Sequence, residues 1–154
     1  MEGDTKRGLM RFLKSHALLI ASVLLYGVSL FLPALYGGGS YLVGLVLLIF
    51  GALPLADSSC FAWLANGLYA AALIAYLMRR TRVVLVLSLL AFGVGLDTVR
   101  VDRFPLDEGG MNVMRQAFGE GFYVWEVSFL LLAASAAFPL LRARRNQPPP
   151  LPPV

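Results

Sequence analysis

The sequence predicts an all-α membrane protein: a small helical bundle of four crossings plus one re-entrant or interfacial segment. Three observations carry that prediction. Hydrophobic residues make up 58% of the 154 and charged ones only 14%, where a soluble domain of this size carries about 25% charged residues to face water. Mean hydropathy is +0.74. The basic residues gather between the apolar runs rather than across one face.

Residues 1–16 form a basic leader holding Lys6, Arg7, Arg11 and Lys14. The membrane domain spans 17–141, with apolar segments at 17–36, 42–56, 60–78, 83–98 and 122–141. The first holds twenty uncharged residues, enough to cross about 30 Å of hydrocarbon at about 1.5 Å per residue. It lacks a small-residue cleavage site after Pro33 and is followed by further apolar runs, so it reads as an uncleaved helix. Gly37-Gly38-Gly39-Ser40 is a turn. The segment 42–56 is short, contains Gly44 and Gly51, and is broken by Pro54. Arg79, Arg80 and Arg82 mark a basic turn. The segment beginning at Val83 is short enough to place Arg82 and Asp97 near the two interfaces. Residues 99–121 form a polar, solvated loop, and 142–154 a basic and then proline-rich disordered tail with extended polyproline character.

Charge decides between four crossings and five. With the amino-terminal leader in the cytoplasm, five crossings put seven basic residues inside and six outside. If 42–56 dips in and returns without crossing, the count becomes ten inside and three outside. The positive-inside rule favours the second arrangement, with both ends of the chain cytoplasmic. Five full crossings is the alternative. The setting that fits is a bacterial inner membrane.

Ionisable and amide side chains inside apolar segments are costly, which makes them the candidate functional positions. Asn66, Asp97 and Glu126 fall at one end of their segments and predict a single polar layer beneath the outer face. Arg100 and Arg103 follow Asp97 and are placed to reach Glu126, since a buried carboxylate requires a charged or hydrogen-bonding partner. Helical spacing aligns Asn66 with Ala62 and Ala70, Asp97 with Gly93, and Glu126 with Ala133 and Ala137. Trp63, Tyr123 and Trp125 read as interfacial belt aromatics.

Several chemistries are excluded. The single cysteine, Cys60, and single histidine, His16, provide no intrachain disulfide and no His/Cys zinc set. No phosphate-binding loop, dinucleotide fingerprint or H-E-x-x-H motif occurs. No cofactor is expected, no metal site, and no nucleic acid, because the basic residues flank apolar spans as orientation signals do. The expected function is non-catalytic: an accessory subunit or immunity-type protector acting through protein contacts. Its partners would be the lipid bilayer and another membrane or periplasmic protein, or a second copy of itself. The alternative is a small transporter or channel subunit using Asp97 and Glu126.

Overall fold

The computed structural model describes residues 2–51, 60–105 and 112–145. The chain is mostly helical, and it also carries a four-stranded antiparallel sheet. The elements run α1 (Glu2–Ser29), β1 (Pro33–Gly37), β2 (Ser40–Val43), α2 (Gly44–Phe50), α3 (Leu64–Leu77), α4 (Thr81–Gly95), a 3-10 turn (Leu96–Arg100), β3 (Arg103–Pro105), β4 (Asn112–Phe118) and α5 (Glu120–Arg145).

Four long helices form the body. The helix α5 packs on both α1 and α4, and α4 on α3. Side chains close the ring between α1 and α3, where the rings of Tyr26 and Tyr69 stack with centroids 4.6 Å apart. Each helix turns a repeating face inward: Ala65, Tyr69, Ala72 and Ala75 from α3, and Val84, Ser88, Ala91 and Gly95 from α4. These spacings of three and four follow the 3.6-residue period. Phe129, Leu132 and Ala136 of α5 complete the core.

The interior is made largely of small or hydroxyl-bearing residues, among them Ser22, Ser29, Ser88 and Ser128. Large apolar side chains lie outside instead, including Leu24, Ile74, Val86, Leu90 and Phe138. By length and composition, 81–100 and 120–142 are apolar enough to cross a membrane; His16–Ser29 and Leu64–Leu77 are apolar but shorter.

Several sequence expectations need correction. The first segment is not helical to residue 36. The helix tightens as the amides of Leu30 and Phe31 donate to the carbonyls of Gly27 and Val28, and Pro33, which has no N–H to continue the ladder, opens β1. At the other end, α1 extends back through the leader to Glu2. In 42–56 only Gly44–Phe50 is helical among the described residues, after Leu42 and Val43 have ended β2. Seven residues rise only about 10 Å. The segment 60–78 becomes helical at Leu64, and 83–98 belongs to a longer helical run from Thr81 to Arg100.

The largest correction concerns 99–121, expected as a solvated loop. It contributes β3 and β4, and the sheet order is β2-β1-β4-β3. The central pairing joins Leu35 to Phe118 and Tyr36 to Ala117. Strand β4 thus finds its partner in the connection after α1, far away in sequence. Pro105 is tolerated because β3 is an edge strand. The expected turn at 37–40 is present: Gly38 and Gly39 have φ of 60° and 75°, the left-handed values a two-residue hairpin demands at both central positions. The proline-rich tail, Pro54, and the acidic and glycine pairs at 107–110 lie outside the described residues.

By helix direction, the sheet sits where α1 and α4 end and where α3 and α5 begin. The Arg79–Arg80 turn joins α3 to α4 at the opposite end, where His16, midway along α1, lies against Tyr76.

Candidate functional site

Beneath the sheet lies a cavity of about 740 Å³. The sheet covers it through Ala34, Leu35, Leu42 and Phe104, and α2 walls one side through Leu47, Leu48 and Phe50. The bundle contributes Trp63, Asn66, Phe122 and Trp125. Polar groups concentrate along one stretch of chain, Thr98 through Arg103, where α4 passes into β3.

Backbone and indole hydrogen bonds fix this frame. The amides of Gly44 and Leu45 donate to the carbonyls of Leu32 and Leu30, holding α2 against the end of α1. Trp63 Nε1 donates to the Leu48 carbonyl at 2.8 Å, tying α3 to α2. The amide of Gly119 donates to the Ala34 carbonyl, clamping the start of α5 to β1. A side chain at Gly119 would collide with the backbone of Pro33, so the close approach requires glycine.

Asn66 is the junction of the bundle's polar network. Its Oδ1 accepts from Tyr26 Oη at 2.9 Å and from Trp125 Nε1 at 3.0 Å, while Nδ2 donates to the Trp63 carbonyl at 3.2 Å. One amide therefore links α1, α3 and α5. One helical layer deeper, Ser22 Oγ donates to the Ser128 carbonyl at 2.7 Å, which leaves Tyr69 Oη as donor in the 2.9 Å Ser22–Tyr69 contact. A ladder of rings from Tyr69 through Phe129 and Trp125 to Phe122 and Phe118 connects this network with the sheet.

Asp97 performs a different task. Its Oδ2 accepts from the Phe61 amide at 2.7 Å, and its Oδ1 pairs with Arg100 Nε at 3.1 Å. It joins the end of α4 to the approach to α3. Cys60 lies alongside, its thiol donating to the Asp97 carbonyl at 3.7 Å. Burial raises the Cys60 thiol above the usual range, outweighing the backbone hydrogen bond at Ala62 that lowers it; the nearby Asp97 carboxylate adds a smaller upward push.

Glu126 is 6% exposed, and neither carboxylate oxygen has a hydrogen-bond partner. The expected link to Arg100 or Arg103 is not made: Arg100 pairs with Asp97, and Arg103 is exposed on β3. What faces Glu126 is Gly95 on α4, where an added Cβ would meet the carboxylate. Gly93, expected on that face with Asp97, is exposed and has open space around it. Ala62 and Ala133 are buried as their alignment implies, whereas Ala70 is exposed. The five candidate residues thus cluster at one end of the bundle. Among the described residues, however, no hydrogen bond or ion pair joins any two of Asn66, Asp97 and Glu126.

Sequence reasoning missed Arg115. From β4, its Nε donates to the Val101 carbonyl at 2.6 Å and its Nη2 to the Val99 carbonyl at 3.2 Å. The guanidinium also lies 3.7 Å from Asp102 and 4.1 Å from the Phe118 ring centroid. It fastens the polar stretch at the cavity mouth. A lone arginine in a polar connection gives no local sign of such a role. Ser22, Tyr26 and Ser29 were missed too, although a signal was there: spacings of four and three put their hydroxyls on one face of an apolar helix. The indoles of Trp63 and Trp125 turn inward to protein acceptors, unlike Tyr123, which is exposed.

Comparison with protein-family models, curated proteins and solved structures finds no match to this chain.

Proposed function

We propose that the chain is a multi-pass membrane protein that works without catalysis, through contacts made at the sheet-bearing end of its bundle. The observation carrying the membrane reading is the inversion of side-chain size. Serine and alanine are the commonest buried residues, beside Tyr69, Val84, Phe129 and Leu132, while leucine, isoleucine, valine and phenylalanine side chains are exposed on the outside of the long helices. Water penalises that distribution, whereas lipid, as apolar as leucine, leaves helix association to close packing of small residues and interhelical hydrogen bonds. The four long helices are then the crossings, α2 is an interfacial or re-entrant element too short to span, and the basic ends lie in the cytoplasm.

The contact reading is supported by how the polar residues are used. Asn66 and Asp97 spend their hydrogen-bonding capacity on neighbouring elements, as packing residues do. The sheet, by contrast, offers two edges, and the side chains of Tyr41 and Met114 are exposed. An external membrane or periplasmic protein, or a second copy of the chain, is the partner that suits such a platform. A second reading, transport of a proton or cation, draws on Glu126 alone, whose buried carboxylate has no partner.

Cysteine labelling tests the arrangement. In a Cys60→Ser background, a cysteine at Ser40 should react with an impermeant maleimide from outside the cell. One at Arg80 should react only after permeabilisation. Labelling of both from the same side would sink the four-crossing reading. A photoreactive residue at Tyr41 or Met114 should give one discrete crosslinked species in cells. If neither does, while Glu126→Gln abolishes the cellular phenotype at normal expression, transport replaces contact as the function.

A further inference from the structure

On the membrane reading just given, we propose that the cavity beneath the sheet binds an amphipathic anion. The ligand is a lipid drawn from the surrounding bilayer, its apolar chain in the cavity and its phosphate or carboxylate head at Arg103. The volume, about 740 Å³, falls within the range of about 300–1,000 Å³ typical of small-ligand sites. Apolar side chains, leucine, phenylalanine and tryptophan foremost, outnumber polar ones in the wall, and charged groups occupy only the Arg100–Arg103 margin. A sugar or nucleotide would leave hydroxyl and amide groups unpaired against that wall, a costly burial. A molecule apolar along its length and charged at one end leaves none.

The charges at the margin are not equivalent. Arg100 is held by Asp97 and Asp102 lies beside Arg115, but Arg103 has no ion pair among the described residues. A guanidinium presents a planar fork of donors matched to phosphate or carboxylate oxygens. The α2 wall separates the cavity from the outside with a seven-residue helix that has no fully buried residue. Its Leu47 and Leu48 line the cavity while Leu45 and Ile49 are exposed. Apolar surroundings on both sides of α2 account for this two-sided character.

Both tryptophans of the chain, Trp63 and Trp125, line the cavity, so indole fluorescence reports its contents. The full chain in neutral-detergent micelles is titrated with brominated phosphatidylglycerol and, separately, with brominated phosphatidylcholine at equal mole fractions. Quenching should saturate, and the anionic lipid should reach saturation at the lower fraction. Arg103→Gln, a change on an exposed strand residue, should erase that difference. Ala34→Phe, which puts a ring into the cavity wall, should reduce quenching by both lipids. Inorganic phosphate at the lipid's concentration should leave the quenching intact. Equal, non-saturating quenching by the two lipids would mean ordinary annular contact and overturn the site. Loss of the anionic preference on adding phosphate alone would overturn the amphiphile in favour of a simple anion site. Correct two-sided labelling of Ser40 and Arg80 combined with unsaturable quenching would remove the lipid site and leave the membrane reading standing.

Discussion

Asn66 and Glu126 are both buried polar residues on helices, yet their substitutions should behave in opposite ways. Removing Asn66 strands two donors, Tyr26 Oη and Trp125 Nε1, inside the bundle. A buried group left unsatisfied costs about 1–3 kcal/mol, so Asn66→Ala should lower the melting temperature in detergent clearly and broaden the tryptophan emission. Glu126 has no partner to strand. Glu126→Gln and Glu126→Leu should therefore both be tolerated in thermal denaturation, and Leu should raise stability if its branch fits against Gly95. Gly95→Ala should destabilise, because its methyl would meet the Glu126 carboxylate, and Glu126→Ala should rescue it. A double-mutant cycle measures that coupling; additive effects would mean the two residues do not touch. Cys60 is checked by alkylation rate. Burial raises its thiol, so less thiolate is present at neutral pH than for a free cysteine, and the rate should reach half its maximum at a pH above about 8.5, the midpoint of a free thiol.

At the scale of single elements, the α3–α4 turn carries an unusual residue. Arg79 has φ 59°. Its amide donates to the Tyr76 carbonyl, and that of Arg80 to Ala75, the paired bonds of a helix end that normally places glycine in the left-handed position. A side chain there costs about 1 kcal/mol, so Arg79→Gly should stabilise the chain by roughly that amount in chemical denaturation. Gly39→Val should do the reverse at the β1–β2 turn, where a β-branched side chain resists positive φ. These elements also show what was legible in the sequence. The apolar runs, the glycine turn and the basic turn were visible because each depends on neighbouring residues. The ends of helices were less so: Pro33 signalled a break, but nothing local said that Pro33–Gly37 would be a strand. The sheet itself was illegible. Strand β4 holds three charged or amide side chains among seven residues, and only pairing with β1 makes it a strand. In the candidate site, apolar context identified Asn66, Asp97 and Glu126. Their partners were misassigned because spacing fixes a helix face but not which neighbouring helix that face meets. Glycine illustrates this: Gly93 and Gly95 look alike in sequence, and only the α4–α5 packing separates them.

Taken as a whole molecule, the chain joins a helical bundle with small-residue packing to a sheet assembled from two separate connections. On the proposed membrane reading, charge asymmetry between its ends would favour a fixed orientation, since the sheet end contributes Arg100, Arg103 and Arg115 beside Asp97, Asp102 and Glu120, while the opposite end is basic. Reversing that bias by Arg79→Glu and Arg80→Glu together should reduce the correctly oriented fraction, read by the accessibility of a Ser40 cysteine. An unchanged fraction would mean that the leader alone fixes orientation.

The pairing of Tyr36 with Ala117 also sets an order of events during synthesis. The β1–β2 hairpin is complete at Val43, and its inner edge stays vacant until Ala117, 74 residues further on, has been made, after α3 and α4. Closure of the sheet is thus an assembly checkpoint: it can occur only when both intervening helices have returned the chain to the same end. Until then the hairpin presents an unpaired edge, the kind of surface that recruits a foreign strand or a chaperone. A chain arrested before β4 should expose Tyr36 to limited proteolysis, and the released full-length chain should protect it.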